Sequence, residues 1–594
     1  MSGAQPSGGP YGPVPQNYAL PDITGIIYYV SPDGEPGSSG KTPEQPARLE
    51  EVIKKVVTGD AIVLRGGTYR TGNLELNQGI TLQAYQNEHP VLKGTYIADE
   101  WQDLGHGLWS TDWEYLFPMK PADWWNLNRA GRTTPLHRFN NDMVFADGRF
   151  LQSAGWLGEV DENSYYIDYA HKKVYIGIDP EEHTIEITAF NVALHRTTQK
   201  VHGKAPDRKG PTIRGITFTQ YAYRAFEFDG TNPDGISDEA NHGKEVVGTT
   251  LEHCTISFCS RVAGYFRGDS LTVRHCKIHD TSTEGLFILS SSDVLLERNI
   301  FARNNIEMIQ GYFPAAVKIF NQCYRVTCND NLVIDQPYSN GIWYDVGNVD
   351  GVFTNNWIEG VGFTDYEISR TRLWPSDNGF FFEISKGAVV AGNVFVNCDH
   401  GIMVLNSSDV KMYNNTFINS MAAFGRNTRS AEGDHFGWHP STGPDVDERF
   451  GHEFANNLFS SSPDYARPYI FVWQHPDLCR QLERPQLDVL DYNQFIRSSK
   501  WMDKDLILYA PAENEKCLAG YRTPESFHKQ IRKYSAHDKL YTAEQTPVFR
   551  GFELGNFQLL ENYPGRNLGC AIPEAVKLLL GTGDEAGNHV GAYP

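Results

Sequence analysis

Two carboxylates occupy the same place in two similar segments of the chain. The segments read Gly341-Ile-Trp-Tyr-Asp345 and Gly379-Phe-Phe-Phe-Glu383, each with an acid four positions after a glycine. If the segments form neighbouring strands in register, the two acids are separated by one strand spacing, about 4.8 Å. Two carboxyl groups roughly 5–5.5 Å apart suit the double-displacement cleavage of a glycosidic bond, with one nucleophile and one acid/base.

The two acids differ in side-chain length, and this suggests their roles. We assign Asp345 as the nucleophile because its short side chain stays close to the strand, and Glu383 as the acid/base because it reaches further. The reverse assignment remains an alternative. Trp343 and Phe381 give the pair an apolar setting that favours one protonated and one ionised acid, and both are candidate substrate-binding residues. Solvated surface acids without a catalytic role are the competing interpretation.

Short repeated blocks supply the strands that must position these acids. Each block places an Asn or Cys after a polar residue and before apolar residues, at Cys254, Cys276, Asn299, Asn331, Asn356, Asn393, Asn415 and Asn457. Successive positions are 22, 23, 32, 25, 37, 22 and 42 residues apart. A period in the twenties, with alternating rather than helical hydrophobicity, predicts an all-β, right-handed parallel β-helix whose stacked Asn side chains form a ladder at one corner.

A second set of segments in the same repeats carries the acids. The first and third residues after each Gly or Ala are apolar, and alternation along a strand places them inside the coil. The second and fourth residues must then face outward: Phe287, Leu289, Lys318, Phe320, Trp343, Asp345, Phe381, Glu383, Met403 and Leu405. One outer face therefore combines a cation, aromatic rings and two carboxylates.

Lys318 lies one repeat before Trp343 at the matching position. It is a candidate ligand of a sugar hydroxyl or carboxylate. It is alternatively the base of a polysaccharide lyase that uses Ca²⁺, or the partner of a salt bridge that keeps Asp345 ionised. Hydrolysis by a carboxyl pair requires no cofactor and no metal. A non-catalytic carbohydrate-binding solenoid is the third functional alternative.

Two repeats carry long insertions of the kind that often bears function. The first insertion, residues 359–378, contains Trp374, and the second contains Trp438 and His439. Either Trp could stack on a sugar ring and His439 could orient a hydroxyl, whereas packing within the loop is the alternative for each. Glu307 and Asp335 lie in nearby turns, and the sequence assigns them no role.

Departures from the repeat divide the chain into segments. The predicted segments are a disordered leader (1–25), an N-terminal cap with a short helix and the first coils (26–100), an inserted β subdomain (101–195), the β-helix with the site (196–468), and C-terminal coils and a tail packed on the helix (469–594).

Composition excludes several classes of partner. A net charge of −21 over 594 residues disfavours nucleic acid and anionic membranes. Without a long apolar run or a signal peptide, the sequence favours a cytoplasmic protein; it is secreted or periplasmic if an export signal is not part of this sequence. The nine cysteines, with no Cys-x-x-Cys pair, are expected to be buried free thiols in a reducing compartment. The expected partner is a carbohydrate substrate, and a homo-oligomer remains open.

The acidic segments resemble glycoside hydrolase family 120, the β-helix β-xylosidases. That family has Gly-Ile-Trp-x-Asp followed by Phe-x-Glu-Val-x-His-Gly, and this chain has Gly-Ile-Trp-Tyr-Asp345 and Phe-Phe-Glu383-Ile-Ser-Lys386-Gly. The resemblance implies a retaining, xylosidase-like hydrolase with Asp345 as nucleophile and Glu383 as acid/base, and the long insertions favour exo action. Lys386 stands where the family has His, and the insertion between the acids is longer here. The match is specific over residues 341–393.

Overall fold

Three long sheets wind around one core in the computed structural model. The structure describes residues 9–118, 134–233, 235, 237–309, 314–362, 378–428, 449–482, 484–581 and 588–593. Each coil visits the three sheets in the same order, and each sheet contains 13 strands among the described residues. Strands pair in parallel along almost the whole of each sheet, so the chain forms a parallel β-helix.

The strands of each sheet follow one another along the helix axis. Sheet 1 contains Ile27–Val30, Ala61–Leu64, Thr81–Ala84, Thr212–Arg214, Thr250–Glu252, Thr272–Arg274, Leu295–Glu297, Thr327–Asn329, Val349–Thr354, Lys386–Ala391, Ser408–Tyr413, His452–Ala455 and Leu487–Asp491. Sheet 2 contains Gly67–Arg70, Pro90–Lys93, Thr217–Tyr221, Thr255–Cys259, Lys277–His279, Ile300–Ala302, Leu332–Pro337, Trp357–Gly362, Val394–Val396, Thr416–Ile418, Leu458–Ser460, Gln494–Arg497 and Lys539–Thr542. Sheet 3 contains Leu74–Leu76, Val192–Arg196, Arg224–Phe228, Val262–Arg267, Glu284–Leu289, Ala315–Phe320, Asn340–Asp345, Asn378–Glu383, His400–Leu405, Met421–Arg426, Ile470–Gln474, Ile507–Tyr509 and Ala519–Tyr521.

The predicted asparagine ladder lies at the corner between sheets 1 and 2. The Asn356 amide donates to Asn393 Oδ1 at 3.0 Å, and Asn393 donates to Asn415 Oδ1 at 2.9 Å. The same amide-to-amide hydrogen bond joins Asn299 to Asn331, Asn331 to Asn356, Asn415 to Asn457 and Asn457 to Asn493. Each amide also accepts from the backbone N–H of the preceding coil, which satisfies buried polar groups that water cannot reach. The ladder fixes the register of successive coils.

The N-terminal part contains the predicted capping helix and insertion. The helix Leu49–Val52 buries Leu49 and Val52 against the first coil. The insertion forms one sheet from Thr95–Ile97, Val144–Ala146, Arg149–Phe150 and Ile185–Thr188, and a second from Gln102–Asp103, Trp109–Asp112, Gln152–Ser153, Ser164–Asp168 and Lys173–Ile176. These strands enclose a core of their own, separate from that of the helix.

The two chain ends run over the outside of the coils. In the segment expected to be a disordered leader, the Tyr11 hydroxyl donates to Asp330 Oδ1 at 2.9 Å and the Tyr18 N–H donates to Gln86. At the other end, Phe557 stacks on Trp357, with ring centroids 5.7 Å apart. The remaining elements are the helices Pro524–Gln530 and Glu574–Leu580, the hairpin Phe549–Gly551 with Asn556–Leu559, and 3-10 turns at Leu136–Phe139, Leu157–Glu159, Glu239–Asn241, Pro476–Leu478, Ser499–Trp501 and Phe552–Leu554.

The cysteines correct one expectation. Cys479 and Cys517 form a disulfide, so the prediction of free thiols is wrong for this pair. They lie 38 residues apart, outside the repeated blocks, which is why the repeat did not suggest their proximity. The other seven cysteines are free, and Cys254 and Cys276 are buried in the core as predicted.

Candidate active site

Strand pairing places the two acids side by side on sheet 3. Asp345 is the direct Cα partner of Glu383, and Trp343 is the partner of Phe381, on adjacent parallel strands. Adjacent strands are about 4.8 Å apart, so the carboxylates lie at neighbouring points of one surface. The insertion between the two strands leaves this register unchanged.

Side-chain packing shows which face of the sheet carries the pair. Ile342 and Tyr344 belong to the core of the helix, whereas Trp343 belongs to a separate cluster on the outer face of sheet 3. That outer cluster contains Ala315, Trp343, Phe381, Met403, Leu405 and Ala423. The predicted division into inward and outward positions is therefore confirmed. The outer residues are nevertheless buried, with Asp345 7% and Glu383 1% exposed, so the carboxylates are largely removed from bulk water.

Lys318 bridges the acid and the aromatic rings. Its Nζ lies 3.0 Å from Oδ2 of Asp345 and 3.6 Å from the centroid of the Trp343 ring. The Trp343 and Phe381 rings stack in turn, with centroids 4.9 Å apart. The salt bridge considered from the sequence is present. In a low-dielectric setting it balances the charge of Asp345, which would be costly to bury alone.

The backbone is strained immediately after each acid. Val346 has φ 60° and Ile384 has φ 45°. The equivalent left-handed corner in neighbouring coils is occupied by Ser290, Asn321 and Asn406. A β-branched residue in this conformation is an outlier with a cost of about 1–3 kcal/mol, and such strain clusters at functional sites. Val346 and Ile384 pack together over Phe320, which offsets part of this cost.

An outward position that the repeat did not predict lies at the start of these strands. Ala315 lies in the outer cluster while both Ala316 and Val317 lie in the core, so the alternation breaks there. The partners of Ala315 in the neighbouring strands are Glu284 on one side and Asn340 on the other, followed by Asn378 and His400. A signal was present, because a polar residue precedes Gly in four of these five coils.

Two members of this additional column are linked directly. The Asn378 amide donates to Asn340 Oδ1 at 2.9 Å, and the Asn340 amide donates to the Pro314 carbonyl at 3.2 Å. Glu284 differs from them, since both of its carboxylate oxygens are buried without a hydrogen-bond partner. Burial raises the pKa of Glu284 to about 7, against the opposing charges of Lys318, Arg261 and Arg224. The outer face therefore holds a third acid that the sequence did not reveal.

The other residues singled out from the sequence lie elsewhere. Trp374, Trp438 and His439 lie outside the described residues. Glu307 anchors the inserted subdomain, because Arg138 and Gln152 donate to its Oε2 at 3.0 and 2.7 Å. Asp335 lines a cavity at the corner between sheets 2 and 3. Lys386 begins a strand of sheet 1 and is half-buried.

Neither a metal centre nor a membrane-spanning helix is present in the described parts of the chain. No group of three or more His, Cys, Asp or Glu side chains there is arranged to hold a metal ion. None of the helices described combines the length and the apolar composition that crossing a membrane requires.

Comparison with known proteins supports the architecture. Residues 215–358 match the sequence profile of the right-handed β-helix region, which agrees with the predicted fold. The solved complex of XylC with xylose is similar in structure, with a TM-score of 0.51 and 13% identity over 79% of this chain and 84% of that one. Pectate lyase Pel9A aligns with a TM-score of 0.39 and 13% identity over 96% of both chains.

A third solved structure is the GH136 lacto-N-biosidase from Eubacterium ramulus. It aligns with a TM-score of 0.39 and 11% identity over 81% of this chain and 65% of that one. No curated protein sequence matches this chain. At 13% identity, the likeness to the XylC complex shows the fold alone and leaves the chemistry to the residues of the site.

Proposed function

We propose that the protein is a retaining glycoside hydrolase. The observation that carries the proposal is the direct pairing of Asp345 with Glu383 on adjacent parallel strands of one outer face. One strand spacing, about 4.8 Å, is close to the separation of roughly 5–5.5 Å at which one carboxylate attacks the anomeric carbon while the other protonates the leaving oxygen. Neither step needs a metal or a cofactor.

Asp345 is the proposed nucleophile and Glu383 the proposed acid/base. The Nζ of Lys318 lies 3.0 Å from Oδ2 of Asp345, an ion pair that suits a group that must attack as a carboxylate. Glu383 has the longer side chain and is paired with Leu405 beside the outer cluster, as suits a group that must reach the leaving oxygen. The substrate class proposed first is a xyloside, because the acidic segments resemble those of the β-xylosidases. Trp343 and Phe381 are the proposed aromatic contacts of the sugar.

The contact of Lys318 bears on the lyase alternative. A lyase base needs an amine whose lone pair faces the proton alpha to a uronate. Here the Nζ of Lys318 is directed to Asp345 and lies over the face of Trp343. This arrangement favours a role for Lys318 in balancing the charge of Asp345 over a role as a base, and it therefore favours hydrolysis.

A screen of aryl glycosides tests the proposed function. Wild type, Asp345→Ala and Glu383→Ala are assayed for release of the aryl group, with Asp488→Asn as a matched control because Asp488 is an exposed acid on sheet 1. We expect the control to keep wild-type turnover of the cleaved glycoside and Asp345→Ala to lose it by roughly 10³-fold or more. Glu383→Ala should lose a comparable amount only for aryl groups that leave poorly without protonation. Full activity of Asp345→Ala, or an unsaturated uronate product that absorbs in the ultraviolet, overturns the assignment.

A further inference from the structure

A cavity of about 590 Å³ lies at the corner between sheets 2 and 3, away from the acid pair. Its floor follows the strand register: the residues after Ala302, Ile334, Glu359, Val396 and Ile418 stand one above another in five consecutive coils. These floor residues are Arg303, Asp335, Gly360, Asn397 and Asn419. All five have left-handed backbone, with φ between 48° and 66°.

The floor is therefore a regular track along the helix axis. Four strand spacings give it a length of about 19 Å, with one residue every 4.8 Å or so. The Asn419 amide donates to Asn397 Oδ1 at 2.9 Å, and Asn419 Oδ1 accepts from the Ser462 N–H at 2.7 Å, which fixes both amides. The rise per coil is close to the length of one pyranose unit in an extended glycan.

The wall of the track is a polar and aromatic segment from a later coil. Arg467 Nη1 donates to Asp399 Oδ1 at 2.9 Å. Tyr465 lines the cavity, is partly buried, and stacks on the buried Tyr469 with ring centroids 5.8 Å apart. Gly362 keeps the wall close to the floor, because a Cβ there would lie 2.7 Å from Asp399 Oδ2.

The charges of the cavity are balanced. Two arginines and two aspartates line it: Arg303, Arg467, Asp335 and Asp399. Arg467 is paired with Asp399, and Arg303 is held by Asp280 through a Nε–Oδ1 contact of 2.6 Å. A track that recognised an anionic polymer would present cations in excess, as phosphate and uronate sites do. Amides, equal numbers of arginines and aspartates, and one aromatic ring instead suit hydroxyl groups and the C–H face of a sugar.

We propose that this corner track binds a neutral, linear oligosaccharide along the helix axis, as a second carbohydrate site distinct from the acid pair. The wall residue Asp399 directly precedes the strand His400–Leu405, and Leu405 at its far end is the partner of Glu383. Asp399 and Leu405 are six positions apart, which separates the two sites by about 20 Å along the strand. The role of the track as an anchor for a polysaccharide substrate rests on the proposed function, whereas binding itself does not.

Titration calorimetry on the full chain tests the proposal, with xylohexaose, cellohexaose and hexagalacturonate as probes. In an Asp345→Asn background, which prevents turnover, we expect at least one neutral hexasaccharide to bind and hexagalacturonate to bind far more weakly. Tyr465→Ala should weaken binding about 10-fold, the value of one well-placed aromatic contact. The pair Asn397→Gly with Asn419→Gly should weaken it about 5-fold, since glycine accepts the left-handed backbone and only the amides are lost.

Tyr175→Ala, a half-buried tyrosine of the inserted subdomain, is the control and should bind as the parent does. If Tyr465→Ala fails to fold, the double variant Asn397→Gly with Asn419→Gly tests the proposal on its own. The proposal is overturned if neither neutral hexasaccharide binds, if the track variants bind unchanged, or if hexagalacturonate binds equally well. Failure of the hydrolase proposal gives a different result: the Asp345 and Glu383 variants would keep turnover, whatever the track binds.

Discussion

Lys318 and Asp345 form an ion pair on the outer face of sheet 3, with 3.0 Å between Nζ and Oδ2. The side chains are 4% and 9% exposed, so both charges are largely removed from water. A buried pair of this kind adds little net stability, but the loss of one partner leaves the other charge uncompensated. The pair therefore links the stability of the fold to the charge of the proposed nucleophile.

Breaking this pair should destabilise the protein. We expect Lys318→Met to lower the free energy of unfolding by about 3–5 kcal/mol, because Asp345 is left as an isolated buried carboxylate. Lys318→Met combined with Asp345→Asn should recover most of the loss. Urea unfolding followed by circular dichroism measures each variant in a double-mutant cycle. Additive effects of the two substitutions would show that the residues do not interact.

Each asparagine of the ladder should contribute to the stability of the fold. Asn393→Ala removes the acceptor of the Asn356 amide and the donor to Asn415. We expect this substitution to lower the free energy of unfolding by about 2–3 kcal/mol, because buried backbone and amide groups lose their hydrogen-bond partners. Asn355→Gly is the control, because Asn355 has φ 57° and lies outside the ladder. Thermal unfolding compares the two, and equal midpoints would contradict a structural role for the ladder.

The buried acid Glu284 should make stability depend on pH. Burial raises its pKa from 4.5 to about 7, despite the opposing charges of Lys318, Arg261 and Arg224. Between about pH 4.5 and pH 7, Glu284 therefore keeps a proton in the folded protein that it has released in the unfolded chain. The stabilisation by this group is complete below its ordinary pKa and is lost as the pH rises through about 7.

Glu284→Gln isolates this contribution from those of other buried acids. We expect wild type to lose more stability than Glu284→Gln between about pH 5 and pH 8. Urea midpoints at the two pH values provide the measurement. The same change with pH in both proteins would mean that Glu284 does not titrate in this range.

Glu383→Gln should reveal the acid/base through its dependence on the leaving group. A protonated acid matters most for a poor leaving group, so turnover of an oligosaccharide should fall by about 10²–10⁴-fold. Turnover of a dinitrophenyl glycoside of the same sugar, which leaves without protonation, should fall much less. The two kcat/KM values measure this, and equal losses on both substrates would contradict the role.

Much of the architecture was accessible from the sequence because a β-helix repeats its local rules. The Asn column and the alternation of Ile342 and Tyr344 with Trp343 predicted both the ladder and the outward acids. The register of Asp345 with Glu383 also followed, since an insertion between coils changes the loop and not the alignment of the strands.

Other features depended on contacts that no repeat encodes. Glu284 pairs with Ala315 at the start of these strands, where the alternation breaks because Ala316 and Val317 both lie in the core. The Cys479–Cys517 disulfide joins two non-repeating segments. The sequence does not distinguish Val346 and Ile384 from ordinary apolar residues, because only their backbone conformation is unusual.

The most direct test of the central claim is covalent trapping of the nucleophile. The protein is incubated with a panel of dinitrophenyl 2-deoxy-2-fluoro glycosides, beginning with the xyloside, and the modified peptide is identified by mass spectrometry. We predict one adduct per chain, formed with release of dinitrophenol, on the carboxylate of Asp345. An adduct on Glu383 or on any other residue, or no adduct with any sugar of the panel, would contradict the account.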